Sequence, residues 1–263
     1  MQGRVLIIAG SDSGGGAGIQ ADIKTVTALG GYAMTAVTAV TVQNTTGVSA
    51  IHDIPIDIVT AQAKAVLSDL GADCIKVGML HTPEIIQAVA GVLSDIDGIP
   101  IVVDPVMVAK GGAALLADDS LTILRDQLLP LATVLTPNIP EAQELSGIDP
   151  ESDPDGALDA LAELGPKSVL LKGGHLSGEQ VIDRLRLETG ETLSYEIPRI
   201  DTVHTHGTGC TLASAVATGL AQGLSMVESV VRARAYVLEA IRTAPGLGQG
   251  HGPLNHGHTV KDF

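Results

Sequence analysis

The stretch HTHGTGC, residues 204–210, sets two histidines and a threonine among glycines directly before a cysteine, and an apolar run of small residues at helical spacing carries on to residue 223. This pattern predicts a loop feeding a helix N-terminus. Such a terminus offers N–H groups without intrahelical partners and the positive end of the helix dipole, so Gly207, Thr208, Gly209 and Cys210 form a candidate site for phosphate oxygens. The same terminus is expected to lower the Cys210 thiol pKa and make it a proton acceptor for a substrate hydroxyl. By type alone a lone cysteine is a small core residue; its place inside GTGC argues for reaction. His204 and His206 have no H-E-x-x-H or CxxC companion, so they read as fixing the loop rather than binding zinc.

Further polar clusters occur wherever an apolar run ends: GSDSGGGAG (10–18), QNTTG (43–47), GML (78–80), DPVMVAKGG (104–112), TPNIPE (136–141) and KGGH (172–175). Any one is ordinary turn chemistry. Six together, each at the C-terminal end of a strand-like run, point to one crevice, because open α/β sheets bind ligands outside their strand ends. Asn138 and Glu141 suit hydrated Mg²⁺ near phosphates, although that Glu is equally favourable as a helix N-terminal charge. Lys172 beside two glycines can reach a phosphate, and Asp104 before a proline can bind Mg²⁺ or cap a turn. GAGIQA (16–21) matches a dinucleotide fingerprint, but the lone match is weak, and the P-loop pattern fails where Gly16 stands in place of its lysine. Backbone approaching a substrate, with Asp12 and Asp22 as polar hands, is the preferred reading of that loop.

The elements that must carry these clusters alternate. RVLIIAG (4–10) reads as a strand and residues 17–31 as a helix with Ile19, Ile23, Val26 and Leu29 on one face. Residues 33–42 form a second β-rich run, VSAIHDIP a short peripheral strand, and residues 56–70 a helix. DCIKVGML, IPIVVDPV, LATVLTPN and KSVLLKGG then follow as strands with a helix between each pair, the pattern of βαβ units around a mainly parallel sheet. Residues 181–200 break the rhythm as an antiparallel hairpin about the turn ETGE. Helices over 208–223 and 226–243 close the chain before a Gly/His/Pro-rich tail. One domain over 1–263 is expected.

Composition sets bounds on partners. Aromatic residues make up only 2% of the 263, so the core must be aliphatic, as in a parallel sheet buried on both faces. The two cysteines, Cys74 and Cys210, make no disulfide framework, and no signal segment or membrane span is evident, so a cytoplasmic protein is expected. A net charge of -15 argues against nucleic acid or anionic lipid as partners. It fits either a well-solvated exterior or a salt-rich cell interior.

In this order, AGSDSGGGAGIQADIKT, VTVQNTTGV, IKVGML, VVDPVMVAKGG, LTPNIPEAQEL, LLKGGH and HTHGTGCTLASAVA resemble the hydroxymethylpyrimidine/phosphomethylpyrimidine kinases of thiamine biosynthesis, within the ribokinase-like superfamily. The resemblance spans nearly the whole chain. It implies a three-layer α/β/α sandwich with an antiparallel edge hairpin, and two ATP-dependent steps at one site. In these, 4-amino-5-hydroxymethyl-2-methylpyrimidine becomes its monophosphate and then its diphosphate. It also implies Gln43 at the pyrimidine's nitrogen edge with Gly10 and Asp22 nearby, Met79 and Val106 as apolar walls, and Cys210 where sugar-kinase relatives carry an aspartate base. The GTG backbone (207–209) becomes the anion hole. Asn138 and Glu141 match an Asn-x-x-Glu magnesium and phosphate motif; Lys172 and Thr208 become nucleotide contacts, and VAKGG (108–112) a flap. The family is typically dimeric.

One departure stands out. Where the family often has a Lys-Asn pair before THGTGC, this chain has Val203 and His204, and a protonated His204 is the expected partial substitute at the nucleotide. Two rival functions share the pocket: a pyridoxal-type kinase of the same fold, and a non-catalytic pyrimidine-binding sensor.

Overall fold

The computed structural model describes residues 2–109, 111–117, 119–175 and 178–260. Lys110, within the expected flap, lies outside them. Nine strands form one sheet in the order β3-β2-β1-β4-β5-β6-β7-β8-β9. The centre is parallel: β2 (Tyr32–Asn44), β1 (Arg4–Asp12), β4 (Cys74–Val77), β5 (Ile101–Val103), β6 (Val134–Leu135) and β7 (Ser168–Leu171). The inner strands β4 to β7 are short, and Val, Ile and Leu dominate them. Apart from the ends of β1 and the exposed edge of β2 the central strands are buried on both faces, which explains the absence of strict alternation in their sequences.

Helices cover both faces. On one side α2 (Ile56–Asp69), α3 (Pro83–Ser94), α5 (Ile139–Ser146) and α6 (Pro154–Glu163) pack with Leu6, Ile8, Ile75, Val77 and Leu135. On the other, α1 (Gly18–Ala28), α7 (Thr208–Ala221) and α8 (Met226–Arg242) pack with Val5, Ile7, Cys74, Val102 and Leu170. The result is the expected three-layer sandwich. Alternate residues of each strand feed opposite cores, and the small residues Ala213, Ala215 and Ala217 let α7 lie close to the sheet.

Three details differ from the sequence reading. The sheet is antiparallel at both edges: the hairpin of β8 (Gln180–Arg186) and β9 (Thr192–Pro198) closes one, and β3 (Gly47–Asp53) pairs antiparallel with β2 at the other. The turn at Thr45 and Thr46 is too short for a parallel crossover. The segment between β6 and β7 holds two helices, because Gly147 ends α5 in a left-handed conformation (φ 73°). Between β5 and β6 only a short α4 (Ser120–Ile123) forms, running into wider and then tighter turns that end around Pro130.

Chain order reverses at β1, with β2 on one side and β4 on the other. Their C-terminal ends part there, the usual position of a ligand crevice in such sheets.

Candidate active site

A cavity of about 1080 Å³ opens over these strand ends and takes lining from all six loop clusters singled out in the sequence, though from QNTTG only Gln43 and from GML only Met79. The side near β1 and β2 suits a small flat ring. Met79, with 7% exposure, packs with Ala39 and Leu115 against Val106, giving an apolar wall. Gln43 faces it with an amide whose oxygen accepts from the Thr41 hydroxyl (3.2 Å) and whose nitrogen lies 3.4 Å from His206 Nε2. Gly10 lies where the β1–β2 register slips by a residue, and a Cβ there would come within 3.0 Å of the Met79 sulfur. A larger residue would push that wall into the cavity.

The start of α7 provides the second part. Gly207 is its N-cap at φ 80°, and any side chain at Gly207 would collide with the Gly16 carbonyl, so the helix start docks directly on the first glycine loop. Gly209 faces a charge cluster: a Cβ there would sit 3.2 Å from Lys172 Nζ and 3.5 Å from an Asp104 carboxylate oxygen. Lys172 donates to Asp104 Oδ1 (2.7 Å) and lies 4.0 Å from Glu141 Oε2. Asp104 also accepts from Thr136 (3.2 Å). Glu141 and Asn138 form a reciprocal capping box at the start of α5, each side chain accepting the other's backbone N–H at 2.8 and 2.9 Å. Burial pushes the Glu141 carboxyl up to about 7, with Lys172 opposing and Asp104 adding to the rise.

Two buried carboxylates thus share one ammonium and leave an excess negative charge facing a helix N-terminus. That donor set fits Mg²⁺, which takes one or two carboxylates and completes its shell with phosphate oxygens and water. Asp104 and Glu141 are the residues that would hold it. The Asn138 side-chain oxygen is already committed to the α5 cap.

Two expectations require correction. Asp22, expected at the substrate's edge, is fully buried and does not line the cavity. Its oxygens take the ammonium of Lys76 (2.9 Å) and the hydroxyl of Ser214 (2.7 Å), because a carboxylate facing the α7 side of α1 finds those donors before solvent. Cys210 lines the cavity, but its thiol is not lowered. Burial pushes it up to about 12; Lys76 and the Gly18 N–H pull the other way, and Asp22 and Asp104 push further up. Desolvation of a thiolate outweighs what one helix terminus supplies.

The glycine loop has a structural core that sequence reasoning assigned to the substrate. Asp12, 2% exposed, accepts from the N–H groups of Gly14 (2.7 Å), Gly16 (2.9 Å) and Ala17 (2.8 Å) and from His206 Nε2 (3.0 Å). Burial alone would raise its pKa, but His206 and those N–H groups hold it below the usual carboxylate range. His206 thus fixes loop geometry, as expected of it. His204 does not line the cavity: its Nδ1 is buried without a hydrogen-bond partner among the described residues, facing Gly252 of the tail. The tail brings His251 to the cavity instead, its Nδ1 3.1 Å from the Val203 carbonyl.

Sequence reasoning missed Lys76, a lysine with 0% exposure in the middle of β4 that nevertheless lines the cavity. Its signal was available: one lysine inside the apolar run CIKV. It also missed Arg234, which lines the cavity from α8 and pairs with Asp183 of β8 at 2.7 Å. No helix among the described residues is long and apolar enough to cross a membrane.

A family model described as phosphomethylpyrimidine kinase matches residues 12–255. The chain is 49% identical, over 96% of its length and 94% of the other's, to a hydroxymethylpyrimidine/phosphomethylpyrimidine kinase of Streptomyces coelicolor. It is 51% identical over 97% of its length to a thiamine biosynthesis bifunctional protein of Geobacter sulfurreducens, and spans 52% of that longer protein. Its fold is similar to the crystal structure of an ADP complex of Bacillus subtilis pyridoxal kinase, with a TM-score of 0.89 and 36% identity over 97% of this chain and 98% of that one. On the extent of the family match and these identities, the chain belongs to the phosphomethylpyrimidine kinase family.

Proposed function

We propose that this chain uses ATP to phosphorylate 4-amino-5-hydroxymethyl-2-methylpyrimidine and then the resulting monophosphate, both at the cavity over β1 and β4. One observation carries the assignment of roles: an apolar-walled slot with one amide, at Gln43, Met79 and Val106, lies in the same cavity as the α7 N-terminus and the Lys172, Asp104 and Glu141 cluster.

Phosphoryl transfer asks a protein for positioning and charge stabilisation more than for covalent chemistry. Gln43 offers a donor and an acceptor to the ring's nitrogen edge, and Met79 and Val106 exclude water from its faces. The N–H groups at the start of α7 receive the transferring phosphoryl, with Gly209 clearing the approach to Lys172. Asp104 and Glu141 would hold magnesium, which would supply neutralisation of phosphate charge when bound. Val181 and Ile197 of the edge hairpin and Val237 and Ile241 of α8 supply apolar surface for a nucleotide base in the same cavity. Cys210 accepts the proton of the hydroxymethyl group in the first step. A thiol raised by burial is a sparse base, and the second step, with a phosphate as acceptor, needs little proton removal. A dimer, expected from the family, would cover the exposed Val40 and Val42 on β2; light scattering at working concentration tests it.

The pyridoxal-type rival shares the fold, but identity to the Streptomyces coelicolor pyrimidine kinase is 49% against 36% to the pyridoxal kinase. The deciding experiment is coupled ADP release with Mg²⁺ and ATP, offering hydroxymethylpyrimidine, its monophosphate and pyridoxal separately. Turnover of both pyrimidines is expected; turnover of pyridoxal alone would move the assignment to the rival.

A further inference from the structure

Among the described residues Lys76 is the largest side chain with no exposure, set in β4 beneath a cavity that it lines together with Cys210. Burying an ammonium is costly, and an apolar pair would tie α1 to the sheet without that cost. Yet the structure keeps room for it: a Cβ on Gly78 would lie 2.8 Å from Lys76 Nζ. Among the described residues its one hydrogen-bond acceptor is Asp22 Oδ2, at 2.9 Å. Asp22 Oδ1 takes the Ser214 hydroxyl at 2.7 Å, and Ser214 stands one turn after Cys210 on α7. The chain Lys76, Asp22, Ser214 therefore anchors a cation to the helix that carries the thiol.

We propose that Lys76 is a positioning residue, held in place by Asp22, whose charge stabilises the Cys210 thiolate and so assists the first phosphorylation but not the second. This rests on the reading of Cys210 as proton acceptor. In the first step the thiolate takes the proton of the hydroxymethyl O–H while that oxygen bonds to the γ-phosphorus and the β–γ bridging oxygen leaves with ADP; the thiol then returns the proton to solvent. The charges that act on Cys210 are Lys76 and Lys172 as cations and Asp22 and Asp104 as anions, and the Gly18 N–H favours the thiolate. Lys76 and Asp22 are not hydrogen-bonded to the cluster of Lys172, Asp104 and Glu141, although Asp104 acts on both by charge; an effect passed through that cluster would fall on both phosphorylations alike.

Lys76 supports the thiolate by its charge and Asp22 by keeping that buried amine protonated, which gives the test. In the full chain, the rate of Cys210 alkylation by iodoacetamide is followed against pH, with the labelled peptide identified by mass because Cys74 is also a free thiol. Both phosphorylations are measured alongside. Asp22→Asn keeps the Ser214 contact but turns an amide donor toward Lys76, favours the neutral amine there, and is expected to move the alkylation profile to higher pH. Lys76→Met is expected to move it to higher pH, so that alkylation at a fixed pH slows about tenfold for each pH unit the profile moves. Lys76→Met should also lower turnover of hydroxymethylpyrimidine severalfold more than turnover of its monophosphate. Profiles that stay put or move to lower pH would overturn the proposal, as would equal losses with both substrates. If Lys76→Met does not fold, the direction in which Asp22→Asn moves the profile decides. If Cys210→Ala leaves the first phosphorylation intact, the proton-acceptor reading fails on its own, while the alkylation profiles still report whether Lys76 sets the thiol.

Discussion

Two lysines meet the start of α7 in opposite circumstances. Lys172 keeps 12% side-chain exposure and is shared by two carboxylates, Asp104 and Glu141, so its cluster carries surplus negative charge. Lys76 is sealed and has a single carboxylate, Asp22, so its cluster is neutral. The first arrangement invites a divalent cation and an anionic ligand to complete it. The second is complete in itself and can act only through its field. The same residue type thus serves ligand binding in one place and internal polarisation in the other, and the number of acceptors around each ammonium decides which.

Breaking the reaction centre between the two clusters should give the largest effect. Cys210→Ala is expected to reduce phosphorylation of hydroxymethylpyrimidine by about 10²–10⁴-fold, the range for losing a general base, and to reduce phosphorylation of the monophosphate far less. Steady-state kinetics with each substrate checks the contrast.

Lys172→Met removes the donor shared by Asp104 and Glu141 and should lower kcat/KM for both steps by about 10²–10³-fold, as for one lost charge-stabilising donor. Gly209→Ala, which puts a methyl 3.2 Å from that ammonium, should fall on both steps alike by up to about 10²-fold through misplacement. A loss confined to one step in either variant would contradict a shared phosphoryl site.

Gln43→Ala should raise the KM for both pyrimidines by about tenfold or less, the worth of one net hydrogen bond, with the KM for ATP unchanged. A change in the KM for ATP instead would place Gln43 on the wrong side of the cavity.

The mildest test concerns stability and lies away from both lysines. His256 of the tail accepts from or donates to Thr211 of α7 at 2.9 Å, and burial, with Lys24 and His258 nearby, pushes its pKa down to about 4. The unfolded chain therefore binds the proton more readily. The histidine's contribution is intact above its ordinary pKa near 6.5 and is lost as pH falls from there towards 4, by at most about 3 kcal/mol. Urea midpoints at several pH values should show a smaller acid-side loss in His256→Gln than in the parent chain.

Much of the fold and part of the site were legible in the sequence. Short aliphatic runs ending in glycine or polar clusters mark β1, β4, β5 and β7 as central strands, since only a doubly covered parallel sheet buries such runs completely. GTGC located the start of α7 within a residue, because glycine and threonine before small apolar residues both break the preceding loop and open a helix. The antiparallel placement of β3, and the division of one expected helix into α5 and α6, depended on a two-residue turn and a single left-handed glycine, signals too local to stand out.

What the sequence by itself determined was the inventory: which strand ends carry polar residues, that one helix starts at GTGC, and that the chain carries two cysteines and a net charge of -15. What only the tertiary structure decided was the pairing of charges. Asp22 and Asp12 look alike as acidic residues around a glycine loop, yet one holds Lys76 from another strand and the other gathers three N–H groups and His206. Lys76 and His206 lie 54 and 194 positions from their carboxylates in the chain, so no local pattern encodes those two pairings. The Cys210 thiol follows the same rule. A helix N-terminus is visible in sequence and predicts a lowered pKa, but the desolvation that raises it is a property of the packed cavity alone.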